Sequence, residues 1–83
     1  MVEAMLLLRD KKKWEGLGKQ AFQAMPRVGE YIAMNDENGV GRIYEVVAVI
    51  HGAAPCSTAG EIYIRYAGTE LEVMRRLHDS HAP

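Results

Sequence analysis

The side chains able to ligate a transition metal or run nucleophilic chemistry are His51, Cys56, His78 and His81. Structural zinc takes four protein ligands in a tight, recognisable spacing. His51 with Cys56 is not such a spacing, and the other two histidines sit by a C-terminal tail that reads as frayed from about residue 79. Thiol catalysis needs a thiolate held near an imidazole, and Cys56 with His51 is the pair available for it. No local signature surrounds that pair, and a lone loop cysteine is more often inert. Glu61, Glu70 and Glu72 alternate with apolar residues, the pattern of a solvated sheet face. Gly39 and Gly41 precede a strand, whereas a phosphate-binding loop leads into a helix. The expectation is a non-enzymatic chain with no metal and no cofactor.

Two patterns point to binding instead. Lys11, Lys12 and Lys13 stand beside Trp14, which supplies positive charge next to a stacking ring. Arg27, Arg42, Arg65, Arg75 and Arg76 can add phosphate contacts, and Tyr31, Tyr44, Tyr63 and Tyr66 can stack on bases. Against this, acidic residues number 11 and basic ones 10, so the net charge of −1 gives no overall attraction to a polyanion. The second pattern is apolar. Met5, Leu7, Tyr63 and Tyr66 are candidates for a sheet face left uncovered in so small a domain. A chain of 83 residues buries only about 60–65% of the surface its unfolded form exposes, so pairing two copies would add core. The first expectation is therefore a non-enzymatic interaction or adaptor module, a homo-oligomer and in the simplest case a dimer, with a further protein partner open. The second is a small barrel that binds single-stranded nucleic acid or RNA.

The elements that must position these residues read as strands. Val2, Ala4, Leu6 and Leu8 share a strand face, residues 10–13 make a charged turn, and Trp14 begins the return strand. Gly16 and Gly18 around Leu17 suit a bulge or a sharply coiled strand. Residues 17–25 fit a strand or a short helix, with the strand preferred. Pro26 marks a boundary or a sheet edge, and residues 27–32 alternate again. Residues 35–41 form a turn. Residues 42–51 are the clearest strand, although alternation is lost at its middle, as in a central strand covered on both faces. Residues 52–60 form a loop, residues 61–66 a cleanly alternating strand, and Ala67-Gly68-Thr69 a tight hairpin turn. Leu71 and Val73 continue the period of two. The whole chain, residues 1–83, reads as one all-β domain, a small barrel of about five antiparallel strands.

Met25-Pro26-Arg27-Val28-Gly29-Glu30, followed by Tyr44, Val46, Val49 and Ile50-His51, resembles small proteins encoded by mobile integron gene cassettes and related bacterial proteins of uncharacterised function. Those carry a Pro-Arg-Val-Gly-Glu/Asp start and then a Tyr-x-Val-x-x-Val-x-His strand. The likeness covers roughly residues 26–66. It implies a closed SH3-like barrel and carries over no catalytic residue and no cofactor. The glycine-bearing loop at residues 52–60 departs from the pattern.

No run of residues approaches a bilayer span. The apolar residues 2–8 precede the basic ones at 9–13, the reverse of a signal peptide. With one cysteine there is no intrachain disulfide framework, so the expected location is the cytoplasm, without a membrane partner.

Overall fold

The computed structural model describes residues 1–53 and 59–81. They form strands β1 (Val2–Asp10), β2 (Lys13–Phe22), β3 (Tyr31–Asn35), β4 (Gly41–His51) and β5 (Gly60–Thr69), then helix α1 (Glu70–His81). The strands make one sheet in the order β2-β1-β5-β4-β3. Pairing is antiparallel within β1/β2, β3/β4 and β4/β5, and parallel between β1 and β5.

Alternation decides which face is the core. Ala4, Leu6, Val46, Ile62 and Ile64 are fully buried, and Ile32 joins them. Leu8, Leu17, Phe22, Met25, Met34, Tyr44 and Val49 pack around that cluster. These side chains define an inner face, and the residues between them point to an outer face. Three bulges tune the pattern, one of them on β5, where Ile43 pairs with Gly68 and Tyr44 with Tyr66, which leaves Ala67 extra. Leu6 pairs with Gly18 and Leu7 with Gly16, so Leu17 is the extra residue of β2, and Gly18 takes a φ of 88°. The glycine pair thus does mark a bulge. On β4, Val46 pairs with Ile64 and Ala48 with Tyr63, which leaves Val47 extra. That bulge lets Val46 and Val49 both face inward. It explains the lost alternation here, which sequence reading had assigned to a strand covered on both faces.

The closed, all-β, SH3-like barrel of antiparallel strands is overturned. The sheet is an open, curled half-barrel with one helix. Among the described residues β2 and β3 are its edges and do not pair with one another. β1 joins β5 in parallel, and that pairing connects the β1/β2 hairpin to the antiparallel β3/β4/β5 group. Residues 17–22 lie within β2, whereas the strand expected over residues 27–32 begins at Tyr31. The strand expected at Leu71 and Val73 is the first turn of α1.

The helix has a local cause. Thr69-Glu70-Leu71-Glu72 is a capping box. The Glu72 N–H donates to Thr69 Oγ1 at 3.3 Å, and the Thr69 N–H donates back to Glu72 Oε1 at 3.2 Å. Glu70 and Glu72 also place negative charge at the positive end of the helix dipole. Gly68, with a φ of 136°, is therefore the pivot into a helix and not the centre of a hairpin. A Cβ there would meet Arg76 Nη2 at 2.8 Å and touch Glu72 and Val73, so α1 lies close over this glycine on the outer face. Ile43, in register with Gly68, and Val73 are both buried at this place.

Ile64→Ala should destabilise the fold by about 2–5 kcal/mol, because a fully buried side chain leaves a cavity. Thr69→Ala should cost about 1 kcal/mol and lower the helical signal while sparing the sheet. Denaturant melts followed by circular dichroism measure both. An unchanged midpoint for Ile64→Ala would contradict the inner core described above.

Candidate functional site

Two surfaces gather functional groups, one at the open seam and one on the outer face. The seam lies between the end of β2 and β3. It holds a cavity of about 1020 Å³ lined by Leu6, Phe22, Met25, Tyr31, Ile32 and Met34, with Gln20, Arg27 and Glu30 at its rim. The segment between the two strands is held locally. The Arg27 N–H donates to the Glu30 carboxylate at 2.5 Å, and the Glu30 N–H to the Arg27 carbonyl at 3.0 Å. Gly29, with a φ of 91°, donates to the Val46 carbonyl, and the Val46 N–H donates to the Glu30 carbonyl, each at 2.9 Å.

This last exchange sets the polarity of the β3 edge. Hydrogen-bonded pairs in an antiparallel ladder recur every second residue. Counting on from Val46, the bonded pairs are Tyr44 with Ile32 and Arg42 with Met34. The main-chain groups of Tyr31, Ala33 and Asn35 then point away from β4 into the seam. The two edges are protected unequally. β2 carries Lys13, Glu15 and Lys19 and is kinked at its bulge. β3 reads Tyr-Ile-Ala-Met-Asn, with no charge, proline or glycine.

The outer face carries a cross-strand row. Trp14 is in register with Arg9, Glu45 with Arg65, and Tyr31 with Glu45. The parallel register Leu8 to Ile64, continued by one residue, sets Arg9 beside Arg65. Trp14, Arg9, Arg65, Glu45 and Tyr31 thus cross all five strands. Arg9 leans over the Trp14 ring at 5.2 Å, and Tyr63 meets that ring edge-on at 5.0 Å. Arg65 turns the other way, with Nη2 2.5 Å and Nε 2.8 Å from Glu45 Oε1. Beyond the row, a cleft of about 470 Å³ separates the sheet from α1, and Arg65, Arg76 and Tyr31 are among its walls. Arg76 donates to the Ala67 carbonyl.

The residues singled out from sequence divide between these places. Met5, Leu7 and Tyr63 share the outer face, since Leu7 pairs with Tyr63 and Met5 with Glu61. Tyr66 is on the inner side, its ring 5.7 Å from that of Tyr44, so the four do not form one patch. Trp14 and Arg65 share one end of the outer face, and the turn of Lys11 and Lys12, with Lys13 after it, lies at the same end of the sheet. Arg27 is at the seam, remote from them in the sheet order. Arg42 is committed elsewhere, bonded to Asp36 at 2.9 Å and lying 5.5 Å over the Tyr66 ring. Arg75 and His78 are exposed on α1, and His51 ends β4. Cys56 lies outside the described residues, as does the side chain of His81. Among the described residues no three His, Cys, Asp or Glu side chains gather to hold a metal, and no helix is long and apolar enough to cross a membrane. Sequence reading missed Arg9, Tyr31 as a row member and the free groups of Ala33. Arg9 and Tyr31 were missed because the parallel β1/β5 pairing has no local signature.

Among the described residues, four groups are shifted from their ordinary values. The Val40 N–H and then the Arg42 guanidinium hold the Asp36 carboxyl below the usual range, and the bond to Asp36 holds Arg42 up. The Thr69 N–H and then its hydroxyl lower Glu72. Burial first, and the neighbouring Glu61 second, raise the Tyr63 phenol. The chain matches no protein-family model, no curated protein and no solved structure.

The lowered carboxylates give a pH dependence. Folding holds Asp36 and Glu72 below their unfolded values, so their contribution is full above the unfolded carboxylate range. It is lost as pH falls through their folded values. Thermal melts in a series of acidic buffers should show wild-type stability declining there. Glu72→Gln should give a shallower decline, and a profile parallel to wild type would remove Glu72 from the account.

Proposed function

We propose that this chain is a non-enzymatic interaction module that self-associates by strand addition at β3. The observation that carries the reading is the unprotected β3 edge, whose outward main-chain groups face a cavity lined by core side chains. A second copy is the occupant that fits it. Placed antiparallel about a two-fold axis through Ala33, the edge pairs Ala33 with its counterpart and Tyr31 with Asn35 of the other copy. That register forms about six main-chain bonds. It also sets Ile32 against Met34 on the inner side, so apolar meets apolar and no like charges are opposed. The two open troughs then run into one another, which adds burial to a domain too small to close its own sheet.

The dimer, and a location in the cytoplasm, where a chain with one cysteine needs no disulfide, are parts of this proposal. The integron-cassette resemblance is kept within it for residues 26–66 as a likeness of pattern, without the closed barrel. The anchor differs from the apolar patch suggested by sequence, because Met5, Leu7 and Tyr63 lie on the outer face, away from the seam.

Light scattering over a concentration series tests the reading, with Ala33→Pro as the variant. Proline there removes an amide that points away from β4 and leaves the intramolecular ladder intact, so the variant should fold. Wild type should be a dimer at high micromolar concentration, and Ala33→Pro a monomer with an unchanged sheet spectrum. A monomeric wild type, or a folded Ala33→Pro that stays dimeric, would reject strand addition at β3.

A further inference from the structure

We infer that the outer-face row Trp14–Arg9–Arg65–Tyr31, with the lysine turn beside it, is a binding site for single-stranded nucleic acid. The first argument is charge. Arg9, Arg65 and Arg76 collect at one end of the outer face, and the turn that carries Lys11, Lys12 and Lys13 lies at that same end of the sheet. The parallel pairing of β1 with β5 brings them there, because it sets the β1–β2 turn next to the end of β5 that leads into α1. The carboxylates among them are Asp10, Glu15, Glu45 and Glu72, fewer than the six cations. A chain with a net charge of −1 therefore carries a locally positive surface, which is what attracts a polyanion.

The second argument is the geometry of Arg9 and Arg65. Like charges on neighbouring strands repel. Here the two guanidinium groups are drawn apart, one over the Trp14 ring and the other to Glu45. A phosphate set between them would offset the repulsion that the row otherwise bears. Arg65 is 62% exposed and can turn to meet it.

The third argument is the pair of rings that ends the row. Trp14 is 41% exposed and Tyr31 49% exposed. Four strand spacings separate them, about 19 Å along the sheet. Arg9 lies over the Trp14 ring and Tyr63 packs against it nearly at right angles, and together they hold it in place. A base can stack on such a ring only if it is not already stacked in a duplex. The combination thus selects a single strand, with phosphates over the arginines and bases on the terminal rings. Arg27, at the seam, and Arg42, held by Asp36, take no part.

The chain has one tryptophan, so its fluorescence reports on the site directly. The probes are an oligothymidine, an oligouridine, a DNA duplex of equal length and polyglutamate. The single strands should quench Trp14 at low salt, with affinity falling steeply as salt rises. Arg9→Gln and Arg65→Gln should each weaken binding about tenfold and reduce the salt slope by about one. Trp14→Leu, followed by anisotropy of a labelled strand, should weaken binding about tenfold with little change in slope. Arg27→Gln should bind as wild type does. Ala33→Pro should bind as well, which separates this site from self-association. No binding of single strands at low salt would overturn the inference. So would equal affinity for duplex or polyglutamate, or an equal loss in Arg27→Gln.

Discussion

The structure depends on the parallel pairing of β1 with β5. Residues 5–8 lie in register with residues 61–64, across most of the length of the chain. That short ladder joins a β1/β2 hairpin to a β3/β4/β5 meander, and neither part has a core alone. It sets Leu6 beside Ile62, and both are fully buried. Ala4 and Leu6 on one side, and Val46, Ile62 and Ile64 on the other, exclude water only when the two ladders are joined. The hydrogen bonds of a parallel pair are no stronger than those of an antiparallel one. What holds the pair is the apolar surface it brings together.

The same pairing sets which strands are left at the edges. With β1 and β5 at the middle of the sheet, the edges are β2 and β3. The chain after β5 goes into α1 and not into a further strand, and the Thr69–Glu72 cap starts that helix at once. The helix lies over Gly68 on the outer face and buries Val73 there, so it adds a small second layer and does not fill the trough. An open trough with core side chains on its floor follows from these two facts.

Period-two geometry then divides the chemistry. Side chains of β3 alternate between the two faces, while its alternate main-chain groups point into the seam. Ile32 and Met34 serve the inner face, Tyr31 and Ala33 the outer one, and the free amide of Ala33 neither. One strand of five residues can therefore serve a backbone-mediated contact between copies and a ring on the outer face without conflict. The bulges at Leu17 and Val47 keep this division consistent across neighbouring strands, because each restores the inward phase of the apolar residues that follow.

The local chemistry of the chain was legible without coordinates. Alternation at Ala4-x-Leu6 and Ile62-x-Ile64, the glycine pair that makes a bulge and the charged turn at residues 10–13 all act over a few neighbours, and each is present. The helix was also legible in Thr69-x-x-Glu72, but Leu71 and Val73 fit a period of two as well. A pattern of two residues cannot separate a strand from a helix face. Tertiary structure alone decided that β1 runs parallel to β5, that the barrel stays open and that Arg9 and Arg65 share a row. These depend on pairing between residues more than fifty positions apart, set by the fit of apolar side chains across the whole sheet. No neighbouring residue records that fit, so no local reading of the sequence contains it.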